Sequence, residues 1–138
     1  MERTKAREAA MKLFFQMEAQ GSFGSDAQSY IAEHMEEYGA MTPNDCAYLF
    51  TLGKYLEEHK EEIDALINEY SKTRSTKRLP KPELAIMRLA VCEMRCMDDV
   101  PTAVAIDEAV ELTKIYGSED KAPAFVNGVL GSIAREDA

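Results

Sequence analysis

FVNGVLGSIA (Phe125–Ala134) is the stretch on which the fold turns. Asn127-Gly128 is the dipeptide that most often builds a tight hairpin turn. Here it lies in an apolar run, with a second glycine, Gly131, three residues on. A hairpin requires two alternating strands, whereas a helix requires apolar residues recurring at three and four. Phe125, Val129 and Ile133 recur at four, as do Val126 and Leu130, and no neighbouring segment offers a second strand. The pattern therefore predicts a helix, although each internal glycine disfavours it by about 1 kcal/mol relative to alanine. The glycines then need a reason, and close approach of another helix or of a ligand supplies one. For Gly128, tight packing of this last helix on a central one is the expectation.

The rest of the chain has the same helical period. A first helix, capped by Thr4, carries Ala10, Leu13, Phe14 and Met17 and stops at Gly21. A second starts at Ser25 or Asp26, bears Tyr30, Ile31 and Met35, and ends at Gly39. Thr42-Pro43-Asn44-Asp45 starts a third, with proline allowed in the first turn. A fourth is expected after His59, with Glu61, Glu62 and Asp64 in its first turn and Ile63, Leu66, Ile67 and Tyr70 as its stripe. The proline-containing, charged segment 71–81 is a connector. The fifth helix, from about Pro82, is apolar nearly all round and should be the most buried. A sixth runs over 102–116 and ends at Gly117, and the opening stretch is the seventh. The expected architecture is all-α, about seven helices in two helical subdomains. These form a single domain over 1–138, with an N-terminal half of about 1–72 and a C-terminal half of about 80–138.

A chain of 138 residues with 46% hydrophobic and 30% charged residues is long enough to bury a core. No apolar stretch is long enough to span a bilayer, and the N-terminus lacks the pattern of a signal peptide, so a cytoplasmic protein is expected. The odd set Cys46, Cys92 and Cys96 argues against a disulfide framework. His34 and His59 have no ligand-like spacing to them, so buried structural thiols are expected and no metal or cofactor. The net charge of −9 is unevenly spread: residues 1–17 carry +2, 18–70 carry −10, 71–95 carry +5 and 96–138 carry −6. Two basic islands, Arg3, Lys5, Arg7 and Lys12 and then Lys72, Arg74, Lys77, Arg78 and Lys81, thus sit in an acidic body. The islands suit phosphate and the acidic remainder suits a basic protein. There is no phosphate-binding glycine loop, and no residue pair asks for catalytic tuning. The chain reads as a binding protein, not an enzyme.

Three segments together resemble one family. AREAAMKLFFQME (Ala6–Glu18) is similar to the N-terminal helix of the NusB family of transcription antitermination factors. RLPKPELAIMRLAVCEM (Arg78–Met94) resembles its central helix. VPTAVAIDEAVELTKIYGSEDKAPAFVNGVLGSI (Val100–Ile133) carries its V-P, A-I-x-E-A-V-E-L-x-K and F-V-N-G-V-L elements in order. Residues 20–70 match only in helical pattern. The resemblance implies a non-enzymatic protein that pairs with the small-subunit ribosomal protein NusE. The pair would bind the boxA element of nascent ribosomal RNA transcripts and act on RNA polymerase elongation with other Nus factors. Homodimers also occur in the family. A related methyltransferase carries the same fold, but 138 residues leave no room for its catalytic part. Carried over by position, Arg3, Lys5 and Arg7 imply RNA phosphate contacts, and Lys121, three positions before Ala124, is a further basic candidate. Phe125 implies a stacking platform, with core packing its equal alternative, and Asn127 a reader of a base edge. Where family members carry Lys before that Phe, this chain has Ala124. Glu83 and Asp120 fall on the NusE-facing side. Arg88 either orders that interface or pairs with an internal acid such as Glu93 or Glu108. The alternative expectation is a helical protein-interaction module with little RNA affinity of its own.

Overall fold

The computed structural model describes residues 2–25, 28–29, 41–72 and 75–137. Five helices lie among them: α1 (Arg3–Gln20), α2 (Pro43–Ser71), α3 (Lys81–Cys96), α4 (Thr102–Tyr116) and α5 (Ala122–Asp137). No strand occurs among the described residues, and Phe125–Ala134 lies within α5, so Asn127-Gly128 is helical and not a turn. Most of the expected second helix, with Tyr30, Ile31 and Met35, lies outside the described residues, as do His34 and Arg74.

Two expectations are corrected. The helices expected on either side of His59 are one, α2: Leu52, Leu56, Ile63 and Ile67 form a single buried stripe through that point, and no glycine or proline stands between Leu56 and Ile67. Thr4 does not cap α1, which starts one residue earlier at Arg3, after an extended Glu2 with no side-chain cap bond. The start of α2 is as expected. The Thr42 hydroxyl accepts the Asp45 N–H at 3.1 Å, and the Asp45 carboxylate accepts the Thr42 N–H at 3.0 Å. These two bonds form a reciprocal capping box. They hold the Asp45 carboxyl below its usual value, chiefly through the Thr42 backbone N–H.

Every residue of α3 from Glu83 to Glu93 is buried, because the other four helices pack round it. Each large apolar side chain so buried contributes roughly 1.5–3 kcal/mol. Three arginines clip the helices together. Arg88 of α3 donates two bonds to Asp64 of α2, at 2.9 and 2.8 Å, and one to Glu18 of α1 at 2.8 Å. Arg7 of α1 donates two bonds to Glu93 of α3, at 2.7 and 2.9 Å, and lies 3.6 Å from Glu108 of α4. Arg95 of α3 joins Asp137 of α5 at 2.9 Å and Glu62 of α2 at 3.3 Å. Among the described residues, no helix is long and apolar enough to cross a membrane.

The cysteines differ from the expected set of buried thiols, because Cys46 is exposed. Burial pushes the Cys92 thiol well above its usual value, and burial, with Glu93 and Asp98 adding, pushes Cys96 up to about 11. The packing role expected of Gly128 is also corrected: a Cβ there would meet nothing within 4 Å, because Gly128 faces outward. Close packing falls instead on Gly117, where a Cβ would stand 2.5 Å from the Thr113 carbonyl oxygen and 3.2 Å from the Ala122 Cβ, and on Gly53, where it would meet the Gln28 side-chain amide.

Candidate nucleic-acid and partner interface

The N-terminal turns of α3 and α5 lie side by side. The connector supplies Leu79 and Pro80, α3 supplies Glu83, and the loop after α4 supplies Glu119, Asp120 and Lys121. Ala122, Ala124 and Phe125 of α5 complete a groove of about 690 Å³. The fold builds this groove by two local devices. Pro80 and Pro82 flank the start of α3 and prevent the helix from extending back into the connector. Gly117 closes α4 with its N–H on the Thr113 carbonyl at 2.8 Å, and the chain re-enters a helix when the Ala122 N–H bonds to the Glu119 carbonyl at 3.0 Å. The loop between is four residues long, so its side chains stand at the groove.

Four of the residues singled out by sequence meet here: Glu83, Asp120, Lys121 and Phe125. Asp120 and Lys121 are exposed. Phe125 is half-buried, with one side packed on the core and the other forming groove wall. That arrangement combines both roles weighed for it, core packing and an aromatic surface open to a ligand. Glu83 is only 2% exposed; the Ser118 N–H donates to its Oε1 at 3.2 Å and the Ser118 hydroxyl donates to its Oε2 at 2.7 Å. Exposed Lys77, Arg78 and Lys81 flank Leu79 and Pro80 along the chain and bring positive charge to this end.

The other candidates lie elsewhere. Asn127 is exposed but opens onto a second groove of about 490 Å³, lined by Asp107, Val110, Glu111, Lys114, Pro123 and Ala124. Two acids against one lysine make a field that favours a basic protein over phosphate. Arg3 and Lys5 are exposed at the start of α1. The Arg3 guanidinium stacks 4.4 Å from the centre of the Tyr48 ring, and both line a third hollow with Asp98 and Asp99.

Arg7 and Arg88 are corrected as contact residues. Arg7 is 4% exposed and Arg88 2% exposed, and both guanidinium groups are occupied by buried or half-buried acids. Burial works against the charge on each, but hydrogen bonds and attraction to Glu93 for Arg7, and to Asp64 and Glu18 for Arg88, hold both above the usual arginine value. The internal acids named for Arg88 were the wrong ones: Glu93 and Glu108 serve Arg7 instead. Sequence reasoning missed Ser118 as the partner of Glu83, and Leu79 and Pro80 as parts of the groove. The small-residue break at Gly117-Ser118 was the only local signal for the first.

Comparison with known proteins follows the same lines. A model of the NusB family matches residues 4–135. The transcription antitermination protein NusB of Acetivibrio thermocellus is 40% identical over 135 residues, covering 98% of this chain and 90% of that protein. A crystal structure of T. maritima NusB superposes with a TM-score of 0.86 at 31% identity, covering 99% of this chain and 92% of that one. A crystal structure of antitermination factors NusB and NusE in complex with dsRNA gives a TM-score of 0.81 at 27% identity, covering 99% of both chains.

Proposed function

Because the chain belongs to the NusB family, we propose that it is a transcription antitermination factor. Together with the small-subunit ribosomal protein NusE it binds the boxA element of nascent ribosomal RNA transcripts. The complex joins RNA polymerase with other Nus factors and suppresses termination. The observation that carries this reading is the α3–α5 groove, where exposed Asp120, Lys121 and the open side of Phe125 stand together. An acid there gives register and steering toward a basic ribosomal protein, a lysine meets phosphate, and an aromatic edge accepts an unpaired base. Arg3 and Lys5 supply further phosphate contacts from the start of α1.

We read the chain as one domain of two helical halves, about 1–72 and 80–138, working in the cytoplasm without catalysis. The absence of catalysis is supported by the buried acids Glu83 and Glu93, both occupied by hydrogen bonds within the fold. The test is size-exclusion co-elution with the cognate NusE, with and without a boxA oligonucleotide. A one-to-one protein complex that takes up the RNA supports the reading, and separate elution of all three components rejects it.

A second reading, a protein-interaction module with little RNA affinity, is favoured by one observation. Arg7, one of the cations of the N-terminal island, is withdrawn into an ion pair. A heterodimer that forms but binds boxA no better than unrelated RNA selects this reading.

A further inference from the structure

An acid in the first turn of a helix is ordinarily hydrated, where the helix dipole favours it at the surface. Glu83 is not: it is 2% exposed and belongs to the groove only as part of its wall. Its two oxygens both accept from one residue, Ser118, 35 positions away, through the backbone N–H at 3.2 Å and the hydroxyl at 2.7 Å. Ser118 opens the loop that carries Glu119, Asp120 and Lys121. The loop is tied at its far end by the Ala122 N–H on the Glu119 carbonyl. Before it, Gly117 packs so closely on Thr113 and Ala122 that no side chain fits. The loop thus has a fixed entry, a fixed exit and one side-chain anchor.

We infer that Glu83 is a positioning residue acting through Ser118: it sets where Asp120 and Lys121 stand in the groove, and it does not itself meet the partner. This rests on the reading of the groove as the partner-binding surface. A carboxylate accepts hydrogen bonds only, and here each oxygen is already engaged within the fold. Its charge is spent on two charge-assisted bonds, of which the hydroxyl's, at 2.7 Å, is the short one. Steering of a partner belongs to exposed Asp120 instead.

The experiment measures association and dissociation of NusE by stopped flow at two salt concentrations for Ser118→Ala, Glu83→Gln, Glu83→Ala and Asp120→Lys. Amide hydrogen exchange of Glu119–Lys121 is followed in the free proteins. Ser118→Ala removes one bond and leaves the acid in place, so it remains informative even if Glu83→Ala fails to fold. The expected result is faster loop exchange in Ser118→Ala and an affinity lower by roughly two- to tenfold, the range of one net hydrogen bond. Glu83→Gln, which keeps an acceptor for the N–H and a partner for the hydroxyl, stays nearer the parent, and the salt dependence of its association rate does not change. Parent-like binding by Ser118→Ala, together with a salt-dependent loss of association in Glu83→Gln, overturns the inference and makes Glu83 a direct charge contact. Asp120→Lys separates the two kinds of failure. If it binds like the parent, the groove is not the partner surface; if it binds weakly while Ser118→Ala does not, only the positioning role falls.

Discussion

Arg7→Met tests whether the N-terminal island works as a surface charge or as a structural clip. The substitution keeps the length and apolar stem of the side chain and removes its charge. It leaves Glu93, which is fully buried, without the two bonds at 2.7 and 2.9 Å that hold its carboxylate. Removing one member of a buried pair costs about 3–5 kcal/mol, because the other charge stays buried and uncompensated. The complete burial of Glu93 argues for the upper end of that range. The Tyr48 hydroxyl argues for the lower end, since among the described residues it is buried without a hydrogen-bond partner near Glu93 and Arg7 and can turn toward the freed carboxylate. The expected cost is therefore about 3 kcal/mol, or roughly 10 °C in Tm for a chain of this size. The double variant Arg7→Met with Glu93→Met replaces the pair by apolar groups and should recover most of the loss, to within about 1 kcal/mol of the parent. Urea unfolding of the parent, the two single variants Arg7→Met and Glu93→Met and the double variant measures the cycle, and boxA titration, corrected for the folded fraction, reports the RNA. An Arg7→Met protein that is as stable as the parent but has lost RNA affinity would refute the assignment of Arg7 to the fold.

Gly128→Ala should raise stability by about 1 kcal/mol through helix propensity, since a Cβ there meets nothing within 4 Å; a lower Tm in the isolated protein would contradict this. Thr42→Ala should cost about 1 kcal/mol by opening the capping box, as read by urea unfolding. The pH dependence follows from the depressed Asp45 carboxyl. Its stabilising contribution is present in full above the unfolded carboxylate value near 4 and is lost as pH falls through the lower folded value. The stability gap between the parent and Asp45→Asn should therefore close below about pH 4, and a gap that widens on acidification is the contrary result. Alkylation at neutral pH should modify exposed Cys46 first and spare Cys92, with Cys96 reacting appreciably only as pH approaches about 11; mass spectrometry of peptides distinguishes the sites.

The parts of the fold legible in the sequence were those fixed by neighbours along the chain. The span 102–116 matches α4 residue for residue, because Pro101 and Gly117 bracket an unbroken apolar stripe. The centrality of α3 followed from its all-round apolar character. The false break at His59 arose from reading Glu61, Glu62 and Asp64 as a helix start. The Leu52–Ile67 stripe had already outvoted them, and Asp64 is there for Arg88. What could not be read was any fact fixed by distant pairs. Arg7 finds Glu93 86 residues away, and Arg88 finds Glu18 70 residues away. Nothing in local spacing distinguishes such an arginine from one that faces solvent. The groove was half legible: its exposed Asp120, Lys121 and Phe125 were named from the family pattern, but the Glu83–Ser118 bonds that shape it join two segments with no mutual signature.

The most direct test of the central claim, that this chain holds boxA RNA at the α3–α5 groove beside its ribosomal partner, is zero-length photo-crosslinking. A 4-thiouridine boxA RNA would be bound to the assembled heterodimer and the crosslinked peptides mapped by mass spectrometry. The account predicts crosslinks within Lys121–Asn127, together with the Arg3–Lys5 segment. Crosslinks confined to α2 around exposed Phe50, which does not line the groove, or no crosslink on this chain at all, would contradict it.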